Sequence, residues 1–235
     1  MISKRASEFT SFIVMDVMAK VQDLERQGEN IIHMEVGEPD FSTPSVIVEA
    51  AIEALRQNKT RYTHALGLLE LRQAICDYYL AQYRVSITPD QVLVSTGTSP
   101  VLLFAMLAIL DHGDEVIVSD PRYPCYQNFI LAAGGKFRQI RTYPEDGFQY
   151  RLNDVARAIS PRTKAILINS PCNPTGIVMT GGQLAEIASF NGQYIISDEI
   201  YHGLVYEGRA HSILEFTDKA FVINGFSKLY AMTGW

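Results

Sequence analysis

Lys164-Ala165-Ile166-Leu167-Ile168-Asn169-Ser170-Pro171-Cys172-Asn173-Pro174-Thr175-Gly176 reads as a buried strand running straight into a tight turn. The apolar stretch 165–168 has no polar interruption, as expected of a strand covered on both faces. Two X-Pro bonds and a glycine within seven residues make a turn of fixed shape, open to a cis peptide.

The same texture extends in both directions from this stretch. Strands are predicted at 91–95, 115–119, 137–142, 164–169, 194–197 and 220–223, with helices at 99–110, 124–133, 152–159 and 180–190. Strands joined by helical crossovers imply an α/β fold, a three-layer α/β/α arrangement around a mostly parallel central sheet. Ahead of it, a helix is expected over 9–27, closed by Gly28, then a strand over 31–36 and a loop from Gly37 to Phe41. Thr43-Pro44 looks like a helix start, with a hydroxyl cap and proline at the first helical position. Ile47, Val48, Ala51, Ile52 and Leu55 would form the apolar face of that helix. A second helix after Gly67 would carry Leu68, Leu71, Ile75 and Tyr78 on one side.

The chain has 235 residues, 47% hydrophobic and 20% charged, with a net charge of −6. That is enough chain for a sizeable core, and the acidic balance argues against nucleic acid or an anionic membrane as partner. The longest apolar run, 101–110, is too short to span a bilayer. Glu8 and Asp16 place charges soon after Lys4 and Arg5, so no signal peptide is expected. Cys76, Cys125 and Cys172 are scattered and odd in number, which suits free thiols in a reducing cytoplasm and no metal site.

In an open parallel sheet, ligands gather at the carboxyl ends of the strands. After 91–95 comes Thr96-Gly97-Thr98-Ser99-Pro100, with Ser99 as the expected helix cap. The free N–H groups and positive dipole end of such a helix suit a phosphate; the dinucleotide fingerprint G-x-G-x-x-G is absent. After 115–119, Tyr123 stands between Pro121 and Pro124, stiff enough to stack on a planar ligand, although a rigid surface turn fits the same residues. The proline-rich turn after 164–169 aims the Asn173 amide. Asp198, straight after 194–197, needs a cation or several donors, and Tyr201 lies three residues on. Lys228 comes after the strand at 220–223. Each has a purely structural explanation; together they describe a site for a planar phosphorylated aldehyde, pyridoxal 5′-phosphate.

Val36-Gly37-Glu38-Pro39-Asp40-Phe41, Tyr62 with 67–72, Asn173-Pro174-Thr175-Gly176, Asp198-Glu199-Ile200-Tyr201 and Phe226-Ser227-Lys228 through Met232-Thr233-Gly234-Trp235 occur in one order across nearly the whole chain. In that order they resemble the class I aminotransferases, fold-type I pyridoxal-phosphate enzymes. The resemblance implies that Lys228 bonds the cofactor and shuttles the substrate Cα proton, and that Asp198 pairs with the pyridine nitrogen. Asn173 and Tyr201 would hydrogen-bond the ring oxygen, Tyr123 would stack on the ring, and Gly97, Thr98 and Ser99 would hold the phosphate. Tyr62 would join them from the other subunit of a homodimer, and Gly37 and Asn173 would meet the substrate.

The implied reaction is amino transfer from an L-amino acid to a 2-oxo acid, ping-pong through pyridoxamine phosphate. A C–S β-lyase of the same fold is the enzymatic alternative. A non-catalytic effector domain of a transcription regulator would need a DNA-binding module, and the first segment lacks the basic helix-turn-helix pattern. Two departures stand out. Gly225 replaces a phosphate-binding hydroxyl of many relatives, and the family continues past Trp235 into a phosphate-binding arginine, a further strand and most of a small domain. The expectation is therefore an N-terminal portion: an arm and part of the small domain over 1–45, and a truncated large domain over 46–235. Alone, it is expected to be poorly stable and nearly inactive.

Overall fold

The computed structural model describes residues 2–3 and 5–235; Lys4, one of the two basic residues near the N-terminus, lies outside them. Five strands form one sheet: β1 (Glu115–Asp120), β2 (Lys136–Arg141), β3 (Thr163–Asn169), β4 (Tyr194–Asp198) and β5 (Ala220–Ile223). Their order is β2-β1-β3-β4-β5, and every neighbouring pair is parallel.

Successive strand side chains point to opposite faces, and both faces of β3 are apolar. Ala165 and Leu167 join one core with Val116, Val118 and Ile196, while Ile166 and Ile168 join the other with Ile117 and Ile195. Helices α4 (Thr98–Ile109) and α5 (Tyr126–Ala132) close the first core with Leu102, Met106, Tyr126 and Ile130. Helices α6 (Leu152–Ala158) and α7 (Gly181–Ala188) close the second with Val155, Ala158, Leu184 and Ile187. This is the expected three-layer arrangement, and each fully buried Leu or Ile contributes about 1.5–3 kcal/mol. Helix α7 starts with a reciprocal capping box between Thr180 and Gln183.

Outside these layers the structure departs from expectation. Helix α1 spans Ile13–Arg26, starting four residues later than predicted. Residues 31–36 form no strand and belong to no ladder of the sheet; Ile32 and Met34 are exposed. Helix α2 (Ser45–Arg56) starts one residue later than expected: Pro44, not Thr43, is the N-cap and has no side chain to cap with, while the Thr43 hydroxyl donates to the Ala231 carbonyl. Helix α3 (Leu69–Tyr83) buries Arg72, Cys76, Tyr79 and Tyr83, one position away from the predicted face. Arg72 is tolerated there because its guanidinium donates to the carbonyls of Pro89 (2.7 Å) and Gly67 (3.3 Å).

The predicted strand 91–95 is also absent: a short 3-10 helix takes Pro89–Gln91, and beyond it the Val94 N–H reaches the Leu66 carbonyl (3.0 Å) without forming a ladder. A cavity of about 960 Å³ is lined by these residues on one side and by β5 on the other. Leu71, Ile75 and Tyr78 of α3 and Val101 and Phe104 of α4 line it too. That explains both the shifted face of α3 and the apolar run of α4 from Val101 onward: their second apolar sides face this space. Among the described residues β5 pairs only with β4, so 91–95 has no ladder partner that would make it a strand.

Candidate active site

Parallel pairing brings the carboxyl ends of β1, β3, β4 and β5 to one edge of the sheet. Asn169 lies opposite Asp198, and Asp198 opposite Ile223. The segments after these strands are therefore neighbours despite their distance from one another along the chain.

Asp198 is 5% exposed and is met by two donors, the Tyr126 hydroxyl at 2.7 Å and the Ile200 N–H at 3.2 Å. No cation pairs with it among the described residues. Burial pushes its carboxyl up to about 6, against the lowering effect of both hydrogen bonds. Such a group is electrostatically incomplete, suited to a cationic partner.

The turn after β3 is braced from inside. Its Ser170–Pro171 and Asn173–Pro174 bonds are both cis, as is Asp120–Pro121. The Asn169 side chain donates to the Asp198 carbonyl (2.9 Å) and accepts from the Asn173 N–H (2.6 Å). The Asn173 amide then donates to the Tyr201 hydroxyl at 3.3 Å, so Asp198, Asn173 and Tyr201 do come together as the sequence suggested. Burial raises the Tyr201 hydroxyl, with the Asn173 bond working against it.

Tyr123 is half-buried and edge-on to two rings, Tyr126 at 5.3 Å and Phe12 at 5.8 Å. Its phenol is pushed up, chiefly by burial. The helix start at α4 lies two residues earlier than expected: Gly97 is the N-cap, and Ser99 is inside the helix instead of capping it. Gly97 has φ +142, and a Cβ there would meet nothing within 4 Å. The first N–H groups of α4 have no acceptor in their own helix.

Gly225 closes against this cradle. A Cβ at Gly225 would lie 3.1 Å from Ile200 Cδ1 and 3.4 Å from Thr98 Cγ2, so the glycine lets the chain after β5 pass close to α4. Three residues on, the Lys228 amine donates to the Gly37 carbonyl at 2.8 Å. The same two segments are joined again where Thr233 donates to Glu38 (3.3 Å) and Trp235 to the Thr43 hydroxyl (3.1 Å). Lys228 makes no direct bond to Asp198 among the described residues. Tyr62 is fully exposed and touches none of this group.

Two features were not read from the sequence. Tyr126 is three residues beyond Tyr123 in the same proline-rich segment, a spacing that hinted at a shared face without revealing its partner. The other is the buried set Glu199, His202 and Tyr83, in which Tyr83 comes from a helix more than a hundred residues before the other two.

These residues fit a planar, phosphorylated aldehyde cofactor. Asp198 is a buried carboxyl with lone pairs to spare and no cation, and the open Gly97 backbone at the start of α4 leaves room for an anion. No group of three or more His, Cys, Asp or Glu side chains among the described residues is arranged to hold a metal ion.

A family model described as aminotransferase class I and II matches residues 29–235. The chain is 48% identical over its whole length to the (5-formylfuran-3-yl)methyl phosphate transaminase of Methanocaldococcus jannaschii, covering 62% of that protein. It is 41% identical to the aspartate aminotransferase of Thermotoga maritima, covering all of this chain and 64% of that one. Among solved structures, the Thermus thermophilus aspartate aminotransferase with maleate superposes with a TM-score of 0.96 at 39% identity, covering all of this chain and 63% of that chain. The chain thus spans somewhat under two thirds of the length of these relatives.

Proposed function

The chain belongs to the class I and II aminotransferases, pyridoxal-phosphate enzymes, and on that premise we propose that its protein transfers the amino group of an L-amino acid to a 2-oxo acid. The observation that carries this reading is Asp198: a buried carboxyl without a cation, at a strand end, held by the Tyr126 hydroxyl and the Ile200 N–H. The relatives named above are transaminases, which favours transfer over the β-lyase alternative.

Pyridoxal 5′-phosphate, when bound, supplies a conjugated ring that accepts the electron pair left at the substrate Cα. Asp198 would hold a proton on the ring nitrogen, with Tyr126 keeping the carboxylate ionised and oriented. Asn173 and Tyr201 would donate to the ring oxygen. Tyr123 would cover one ring face. The α4 start at Gly97, Thr98 and Ser99 would bind the phosphate through free N–H groups and hydroxyls. Lys228 would bond the cofactor at rest and, once displaced by substrate, take the proton from Cα. Gly37, already in contact with Lys228, would line the substrate side together with Asn173.

In this reading, residues 46–235 form most of a large cofactor-binding domain and 1–45 an arm and part of a small domain. The exposed Tyr62 would reach the phosphate of a partner subunit in a homodimer, and the enzyme would work in the cytoplasm. No helix of the described residues is long and apolar enough to cross a membrane. The test is a panel of amino acids offered to the full-length protein, with the visible absorbance of the bound cofactor and the products monitored together. Formation of the matching 2-oxo acid with accumulation of the amino form of the cofactor is expected. Pyruvate and ammonia without that form would overturn transfer in favour of elimination.

A further inference from the structure

Behind Asp198, the chain buries a second carboxyl. Glu199 is 0% exposed, and its Oε1 accepts from Ser197 Oγ (2.9 Å), Ser212 Oγ (3.2 Å) and the Ile213 N–H (3.0 Å). Its Oε2 has no hydrogen bond and lies 3.5 Å from His202 Nδ1. His202 is 2% exposed and is fixed at both ring nitrogens. Nε2 lies 3.0 Å from the Ser170 carbonyl, and Nδ1 lies 2.8 Å from the Tyr83 hydroxyl.

A carbonyl only accepts, so His202 must carry its proton on Nε2. In the neutral ring Nδ1 is then an acceptor, served by the Tyr83 hydroxyl. An ionised Glu199 would set Oε2 against that nitrogen lone pair in a dry interior. Two arrangements avoid this clash: a carboxylic acid facing a neutral imidazole, or a carboxylate facing an imidazolium. Each holds one proton between the two groups. We propose that Glu199 and His202 are a proton-sharing positioning pair that clamps the Ser170 carbonyl and thereby sets the turn presenting Asn173.

The clamp has a direct path to the site. Ser170 opens the turn, its N–H donates to the Asp198 carbonyl at 3.2 Å, and Asn173 is three residues on. Keeping the pair free of net charge leaves Asp198 as the one buried carboxylate among the described residues. This inference rests on the transaminase reading only where it concerns Asn173; the shared proton is independent of it.

The titratable groups facing the pair are Asp198 on β4, Tyr79 and Tyr83 on α3, and His211. Burial raises Glu199 to about 7 and lowers His202 to about 4. Between pH 4.5 and 6.5 the unfolded chain therefore holds one proton on the pair, on histidine, and the folded chain also one, on glutamate. The pair then adds no slope to stability against pH in that window.

The experiment is urea unfolding of the full-length protein at several pH values, beside Glu199→Gln, His202→Phe and Tyr83→Phe variants, with ¹⁵N-histidine NMR. His202 should remain neutral and Nε2-protonated from pH 5 to 8. Relative to wild type, Glu199→Gln should make stability rise with pH between 4.5 and 6.5, since the histidine contribution is then uncompensated. His202→Phe should make it fall between 4.5 and 7. Where the cofactor is bound, His202→Phe should lower kcat about 10- to 100-fold with little change in KM, the cost of a small misplacement, and shift the pH midpoint of the cofactor band. Glu199→Gln, whose amide can donate to Nδ1, should keep that midpoint at its wild-type value. A His202 that changes charge between pH 5 and 8, a neutral ring protonated at Nδ1 instead of Nε2, or variants with the wild-type pH slope would overturn the shared proton. An unmoved cofactor band in His202→Phe would overturn the positioning role. Should His202→Phe fail to fold, Tyr83→Phe decides the same question through loss of the donor to Nδ1, the band shifting or not. A wild-type protein with no cofactor band would refute the transaminase reading, while the NMR and pH-slope results still decide the proton.

Discussion

The Tyr126 hydroxyl donates to Oδ2 of Asp198 at 2.7 Å, joining the first residue of α5 to the last residue of β4. Seventy-two positions separate the two residues in the chain. The bond favours the ionised carboxyl. Tyr126→Phe should therefore raise the acidic midpoint of the pH–rate profile. It should also weaken cofactor binding about 10- to 100-fold, the equivalent of about 1.5–3 kcal/mol for a hydrogen bond to a charged group. Equilibrium binding of pyridoxal phosphate to the full-length variant checks this; unchanged affinity would count against the role given to Tyr126.

Asp198 makes stability depend on pH in a defined sense. Its folded value of about 6 lies above 3.8, so the folded chain holds an extra proton between those values. The resulting stabilisation is complete below pH 3.8 and is lost as pH rises through 6, a change on the order of 3 kcal/mol. Asp198→Asn should remove this part of the slope. Urea midpoints of the cofactor-free full-length protein and the variant at pH 4, 5, 6 and 7 would show it.

Lys228→Ala should abolish transamination, by at least about 10³-fold if the amine is the Cα base. It should also abolish covalent capture of the cofactor by borohydride. Capture that survived in Lys228→Ala would falsify the assignment of the lysine.

Gly67→Ala tests the junction ahead of α3. Gly67 has φ +96, and a Cβ there would come within 2.6 Å of Val94 Cβ. Strain and overpacking together should cost about 2–4 kcal/mol. A lowered urea midpoint in the full-length protein is expected, whereas Gly28→Ala, with no atom within 4 Å of its Cβ, should lose only the backbone part.

The layers were legible because their signals are local. Runs such as 165–168 are apolar on both faces, and the helices predicted between the strands, such as 180–190, fall where the structure has them. Residues 31–36 and 91–95 have the same strand-like composition and form no strand. A strand exists only through its neighbour's hydrogen bonds, and a sequence window contains no neighbour. Helix α3 misled for a related reason: its two apolar stripes are adjacent, and the cavity beside 91–95, not the periodicity, decided which one is buried.

At the site, the sequence by itself determined the residue types and their order: Asn173 in a proline-braced turn, Asp198 and Lys228 after apolar strands, and a glycine-containing turn ahead of α4. Those depend on chain-local chemistry and on the rule that parallel strands end at one edge. Only the tertiary structure decided which groups meet. It placed Tyr126 on Asp198, Lys228 on the Gly37 carbonyl, and the buried Glu199 and His202 behind the turn. Burial is what turns those meetings into chemistry, since a carboxyl shifts toward neutrality only once the fold has removed its water.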